Sequence, residues 1–236
     1  MSVPSPHALV RQHTVYSCVM GSRAFGLATE DSDTDRRGVF AAPASAWWGF
    51  DKPPTHVEGP APEQFSWEVE RFCALGLRAN PTVLECLHSP VVEYVDEVGQ
   101  ALLDLRGAFL SLRVRETFGG FADRQESRLR TAAARGAPRW KAATHLVRVL
   151  VTCRDLLRTG RLRVDVGTLR EPLLEVRRGE LPWPRLEEWV SRLRAEIEEA
   201  AARSPLPVEP DRDRVADFLF QTRRRSLPPD AWPVSS

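Results

Sequence analysis

The most informative stretch of the sequence is Gly21-Ser22-Arg23-Ala24-Phe25-Gly26, which is followed by Ser32-Asp33-Thr34-Asp35. The preceding residues, 15–20, are mostly apolar and β-prone and predict a strand, and a glycine at its end can adopt backbone angles that other residues avoid. If the next residues begin a helix, their free N–H groups and the Ser22 hydroxyl would suit a phosphate group. The sequence therefore predicts a phosphate-binding turn at the end of a strand.

Two carboxylates follow this turn at a spacing that suits a metal ion. Asp33 and Asp35 lie two residues apart, just before the apolar Gly38-Val39-Phe40. In an extended segment, residues two apart project from the same face. Mg²⁺ is usually held by one or two carboxylates together with substrate phosphates. The pattern predicts that Asp33 and Asp35 bind Mg²⁺ (or Mn²⁺) beside the phosphate turn.

The length and hydropathy of the chain exclude several classes of protein. A chain of 236 residues is long enough for one large domain or two small ones. No apolar run reaches the length of a membrane span, and residues 1–6 lack the charged and apolar regions of a signal peptide. We expect a cytoplasmic protein without a membrane partner.

The four cysteines predict neither a zinc site nor disulfides. They are scattered through apolar segments, and no two of them have Cys-x-x-Cys spacing. We expect buried, reduced thiols. The residues concerned are Cys18, Cys73, Cys86 and Cys153.

The net charge of +1 hides an asymmetry along the chain. Residues 1–100 contain seven Lys and Arg against thirteen Asp and Glu, whereas residues 101–236 contain twenty-six against nineteen. The acidic part suits metal binding, and the basic part could face an anionic substrate. The alternative is an ordinary arginine-rich surface with no specific partner.

The second half of the chain is predicted to be helical, and one helix carries a group of basic side chains. Lys141, His145 and Arg148 follow one another at i, i+4 and i+7, so they share a face and supply three potential cations. If that face turned toward the phosphate turn, it could hold a triphosphate or pyrophosphate. The alternative is a solvated helix face with a half-buried histidine. Apolar periodicity predicts helices over residues 97–110, 112–134, 140–158, 185–202 and 211–225.

The motif made of Gly21-Ser22, the spacer and Ser32-Asp33-x-Asp35 resembles the signature of the DNA polymerase beta-like nucleotidyltransferase superfamily. Downstream landmarks, such as Asn80-Pro81 and Phe118-Gly119-Gly120-Phe121, are similar to those of its RNA repair pathway DNA polymerase beta family. The resemblance covers about residues 14–225. It implies that the Gly-Ser turn holds a nucleoside triphosphate (NTP) and that the two aspartates bind catalytic metal ions.

The resemblance also implies a third carboxylate, which should lie on a strand beside the first two. Glu63 is the best candidate by position, because Glu68 and Glu70 would fall at the start of the following helix. We therefore predict Asp33, Asp35 and Glu63 as catalytic, metal-binding residues, although the family usually has aspartate at the third position. Arg23 lies inside the turn and could reach the triphosphate; its alternative role is a surface salt bridge.

Together these features predict an α+β protein with a polymerase-beta-like nucleotidyltransferase core, a small mixed sheet with flanking helices, in residues 1–95. Residues 96–236 would form a helical C-terminal region that packs on this core. The expected reaction transfers a nucleoside monophosphate from an NTP to a hydroxyl acceptor, with RNA or tRNA as a candidate acceptor, and releases pyrophosphate.

Two alternative functions stay open. A catalytically weak descendant could bind nucleotide as a regulatory module, an option that the unusual Glu63 favours. The chain could instead be the nucleotidyltransferase of a toxin–antitoxin pair that modifies a tRNA or a partner protein. The sequence lacks an obvious Arg-x4-6-His nuclease motif, since Arg139-x5-His145 falls in the helix already assigned to phosphate contacts.

Overall fold

The computed structural model describes residues 5–135 and 139–227, so the outer ends of the two predicted regions, residues 1–4 and 228–236, lie outside the described residues. The helices are α1 (Pro6–His13), α2 (Gly21–Ala24), α3 (Val69–Gly76), α4 (Pro81–Leu87), α5 (Glu97–Asp104), α6 (Arg113–Ala134), α7 (Trp140–Thr159), α8 (Arg170–Arg178), α9 (Trp183–Ala202) and α10 (Arg212–Arg225). The strands are β1 (Thr14–Val19), β2 (Arg36–Phe40), β3 (His56–Glu58), β4 (Gln64–Glu68) and β5 (Val92–Val95).

The five strands form one mixed sheet in the order β3-β4-β2-β1-β5. β1 is antiparallel to β2 and β5, β3 is antiparallel to β4, and β2 and β4 run parallel. The pairing of Val19 with Arg36 places the end of β1 beside the start of β2. The turn after β1 and the aspartates before β2 therefore meet at the same end of these two central strands.

The apolar interior continues from the sheet into the helical region. Val15 and Phe72 from the first region and Leu146 and Leu193 from the second all belong to one buried cluster. The inner helix is α7, which is flanked by α6, α8 and α9 and whose interior positions are largely buried. The division at residues 95 and 96 follows the change from strands to helices, and its status as a domain boundary stays a prediction.

The structure confirms the predicted α+β class, with a five-stranded mixed sheet, flanking helices and a helical C-terminal region. Four short elements were not predicted: β3, α4, β5 and α8. The predicted helix over residues 97–110 ends at Asp104, and a 3₁₀ turn over Arg106–Phe109 follows it.

All four cysteines are buried and unpaired with one another, as predicted. Within the described ranges, no helix combines the length and apolarity that crossing a bilayer requires.

Candidate active site

A cleft of about 370 Å³ opens between this end of the sheet and helices α7 and α8. It is lined by three acidic residues, by residues of the turn after β1, and by polar and basic residues of the helices. The lining residues are Gly21, Ser22, Phe25, Leu27, Asp31, Ser32, Asp33, Asp35, Lys141, Thr144, His145, Arg148 and Arg177. The structure thus brings together the Gly-Ser turn and both aspartates of the predicted motif.

Gly21 and Asp35 are packed closely at the bottom of the turn. Gly21 has φ of 66°, and a β-carbon on it would lie 2.0 Å from Oδ2 of Asp35. The Met20 N–H donates a hydrogen bond to the Asp35 carbonyl at 2.7 Å, which joins the two segments directly. Glycine is needed here both for the left-handed backbone and for the space that the carboxylate occupies.

Arg23 stabilises the loop that carries the acidic residues. Its side chain is exposed, and its guanidinium donates hydrogen bonds to the carbonyls of Ser32 and Asp33, at 2.8 and 3.2 Å. It does not line the cleft. In this structure Nε and Nη2 of Arg23 hold the loop and the side chain lies outside the cleft, so its contact with a triphosphate stays a prediction.

Glu63 does not join the two aspartates. Its carbonyl accepts a hydrogen bond from the Arg36 N–H at 2.9 Å, so its backbone lies beside the start of β2, as the parallel pairing of β2 and β4 requires. Its side chain, however, is exposed and does not line the cleft, and its backbone is left-handed, with φ of 55°. The predicted third carboxylate thus lies beside the start of β2, as expected, but its side chain lies outside the cleft in this structure, and its catalytic role stays a prediction.

The helix face that was predicted to supply three cations supplies one exposed cation. Lys141 is exposed at the rim of the cleft. Arg148 is only 2% exposed and forms a bidentate ion pair with the buried Glu85, with N–O distances of 2.6 and 3.3 Å. Burial, followed by the charge of Arg148, lowers the pKa of His145 to about 4, so its imidazole is neutral near pH 7.

Several cleft residues were not predicted as site residues. Arg177 comes from α8, an element that the sequence did not predict; its guanidinium donates a hydrogen bond to the Leu27 carbonyl at 3.1 Å. Asp31 precedes Asp33 by two residues, so the same two-residue period that singled out Asp33 and Asp35 would have included it. Phe25 and Leu27 add apolar surface to the wall of the cleft.

Asp33 and Asp35 fit a divalent cation that is shared with a substrate. In residues 5–135 and 139–227, no three His, Cys, Asp or Glu side chains are grouped closely enough to hold a metal ion by themselves. Mg²⁺ commonly binds through one or two carboxylates and completes its coordination with phosphates and water. The space left by the missing β-carbon of Gly21 keeps the Asp35 carboxylate free of steric overlap.

Comparisons with known proteins identify the family of the chain. Residues 6–221 match the RNA repair pathway DNA polymerase beta family. The uncharacterized protein YcgL of Bacillus subtilis is 30% identical over 83 residues, which are 34% of this chain and 32% of that protein, so the match spans about a third of the relative's length. A solved structure of a nucleotidyltransferase-like protein from Exiguobacterium sibiricum is 14% identical, with a TM-score of 0.30, over 96% of this chain and 79% of that chain. Because the family match extends over nearly the whole chain, the protein belongs to the RNA repair pathway DNA polymerase beta family.

Proposed function

We propose that the protein is a metal-dependent nucleotidyltransferase that transfers a nucleoside monophosphate from an NTP to a hydroxyl acceptor. The observation that carries the proposal is the close packing of the Gly21 turn against Asp35, in a cleft that also contains Ser22 and Asp33. A phosphate-binding turn and a pair of carboxylates are both required for this chemistry, and family membership favours the same class of reaction.

The turn would hold the phosphates of the NTP. Ser22 is half-buried and lines the cleft, so its hydroxyl can donate to a phosphate oxygen that lies against the turn. Lys141 and Arg177 line the opposite part of the cleft and would offset the negative charge of the triphosphate and of the departing pyrophosphate.

Asp33 and Asp35 would hold Mg²⁺ or Mn²⁺ against those phosphates. When bound, such an ion neutralises phosphate charge and lowers the pKa of an attacking hydroxyl. The acceptor hydroxyl gives up its proton to water, and its oxygen forms a bond to the α-phosphorus. The bond between the α-phosphorus and the oxygen that bridges to the β-phosphorus breaks, and pyrophosphate leaves. The acceptor could be RNA or tRNA, as the family description suggests, or a partner protein, as in the toxin–antitoxin alternative.

The lack of a third metal-binding carboxylate grouped with Asp33 and Asp35, among the described residues, favours a second candidate function. Glu63 is absent from the cleft, and no three-carboxylate cluster exists among the described residues. A pair of aspartates can hold a metal–nucleotide complex without accelerating transfer strongly. A nucleotide-binding module with little or no turnover is therefore the alternative that the experiment must separate.

The test uses the full chain with each of the four α-labelled NTPs and Mg²⁺ or Mn²⁺, offered to total RNA, purified tRNA and cell lysate. We expect one class of acceptor to take up the label, with release of pyrophosphate. Asp35→Asn should lower transfer at least about 100-fold without changing the melting temperature, because it removes a metal-binding charge at a partly exposed position. Asp217→Asn, at an exposed site on α10, is the matched control.

The outcomes distinguish the two functions. Binding of Mg²⁺–NTP without transfer to any acceptor would support the regulatory module. Full activity of Asp35→Asn would contradict the metal role of the aspartates, and failure of the wild-type protein to bind any NTP would contradict both functions.

A further inference from the structure

The ion pair between Glu85 and Arg148 is deeply buried at the wall of the cleft. Glu85 is 4% exposed and Arg148 is 2% exposed, and both Nη atoms of Arg148 bond to the Glu85 carboxylate. The Arg148 guanidinium also lies over the ring of Phe25, with its central carbon 3.7 Å from the ring centroid. The charge of Arg148 is thus neutralised by Glu85 and its position is fixed by packing.

The same guanidinium determines which nitrogen of His145 carries the proton. Nη2 of Arg148 lies 3.2 Å from Nδ1 of His145. A guanidinium can only donate hydrogen bonds, so Nδ1 must accept, and a neutral imidazole must then carry its proton on Nε2. Phe121 of α6 packs edge-on against the imidazole, with ring centroids 5.3 Å apart, and fixes the plane of the ring.

The Nε2–H group of His145 is free to bind a ligand. Across the described chain no protein group bonds to Nε2, and the atom is not completely buried. His145 lines the cleft beside Arg148, and Arg148 in turn contacts Phe25. This wall therefore presents a neutral hydrogen-bond donor and the ring of Phe25, with Lys141 as its exposed cation at the rim.

We infer that His145 is a specificity-determining residue that donates a hydrogen bond from Nε2–H to an acceptor on the edge of the nucleobase, and that Glu85 and Arg148 are its positioning residues. The inference rests on the proposed function, since it names the part of the nucleotide that this wall binds. A neutral donor suits a carbonyl oxygen or ring nitrogen, and Phe25 offers apolar surface to a planar base. The phosphates are left to the turn and to Lys141 and Arg177.

The first experiment needs no substitution. Nitrogen-15 NMR of the labelled full chain at pH 7 should show His145 with a protonated Nε2 and an unprotonated Nδ1. An Nδ1–H tautomer or an imidazolium would overturn the assignment. In the double variant Glu85→Gln/Arg148→Met, which avoids leaving a lone buried charge, His145 should lose this fixed tautomer and become a mixture.

The second experiment separates base recognition from phosphate recognition. Calorimetry would compare Mg²⁺–NTP with Mg²⁺–tripolyphosphate, which lacks the base and the sugar. We expect His145→Leu to weaken NTP binding about 5- to 10-fold, the value of one hydrogen bond, and to leave tripolyphosphate binding unchanged. His145→Gln, which keeps an N–H donor in a similar position, should restore NTP binding to within about 2-fold of wild type.

The results separate this inference from the proposed function. Equal weakening of both ligands by His145→Leu, or no weakening of NTP, would overturn the role of His145 in base recognition. If the wild-type protein binds tripolyphosphate as tightly as it binds every NTP, the base adds no affinity. The inference then fails, while the phosphate site stands. If it binds neither ligand, the proposed function fails, and the role of His145 in base recognition fails with it.

Discussion

The backbone of Gly21 lies so close to Asp35 that a β-carbon at residue 21 would be 2.0 Å from the carboxylate oxygen Oδ2. Gly21→Ala must therefore displace Asp35 as well as strain a backbone with φ of 66°. We expect the free energy of unfolding to fall by about 1–2 kcal/mol. Nucleotide transfer should fall much further, at least about 10-fold, because misplacing a reacting group by an ångström is costly.

Gly167→Ala is the matched control for this substitution. Gly167 also has a positive φ, of 53°, but no atom outside its own neighbourhood lies within 4 Å of its would-be β-carbon. It should show the backbone cost without the loss of transfer. Urea denaturation and transfer assays of both variants would measure the two effects, and an equal loss of transfer in Gly167→Ala would show that the Asp35 contact is not the cause.

Glu63 should be dispensable for catalysis. Its side chain is exposed and lies outside the cleft, so Glu63→Gln should change kcat/KM by less than about 2-fold, in contrast to Asp33→Asn at the cleft. Steady-state transfer rates for the two variants would decide the point. A loss for Glu63→Gln comparable to that for Asp33→Asn would mean that Glu63 moves into the site when substrate binds.

Glu68 connects the C-terminal helix α10 to the sheet. Its carboxylate is 1% exposed, accepts hydrogen bonds from the N–H groups of Ala42 and Glu70, and pairs with Arg223 at 2.8 Å. The guanidinium of Arg223 also lies over the ring of Trp47. Arg223 is thus an anchor of this helix.

Arg223→Ala should lower the free energy of unfolding by on the order of 2–3 kcal/mol, because it leaves the Glu68 carboxylate buried without its counter-ion. Arg224→Ala, at the exposed neighbouring position, should change it by less than about 0.5 kcal/mol. Urea titrations followed by tryptophan fluorescence would measure both. A similar stability for the two variants would show that the pair adds nothing beyond a surface contact.

Local patterns were sufficient to predict the turn, the aspartate pair and the main helices. The turn and the aspartates before β2 lie at strand ends. Strand ends can be located in the sequence because the apolar periodicity stops there and because glycine marks the turn. The same reasoning could not reveal that Arg148 is neutralised by Glu85, because the two residues are 63 positions apart and meet only in the folded chain. It also missed β5. The residues of β5 are all exposed, so they show no alternation of apolar and polar positions that would indicate a strand.

Glu63 shows the same limit of sequence-based prediction, here for a residue beside the cleft. Sequence position placed Glu63 beside the start of β2 correctly, as its hydrogen bond with Arg36 shows. Side-chain direction depends on the backbone of that single residue, and the left-handed φ of Glu63 could not be predicted for a residue other than glycine.

Two partly buried histidines should make the protein less stable in mild acid. Burial lowers the pKa of both His88 and His145 to about 4, against an ordinary value of 6.5 in the unfolded chain. Between these values the unfolded state binds more protons than the folded state, so stability falls as the pH decreases from about 6.5 toward 4. Each histidine contributes a slope of up to about 1.4 kcal/mol per pH unit.

The measurement is the free energy of unfolding from urea titrations between pH 7.5 and 5, where titration of surface carboxylates contributes least. The double variant His88→Asn/His145→Gln keeps an amide donor at both positions but cannot be protonated, so its stability should depend less steeply on pH than that of the wild type. NMR titration should show both imidazoles neutral at pH 5.5. Equal pH slopes for the two proteins would mean that neither histidine is shielded from water as the structure implies.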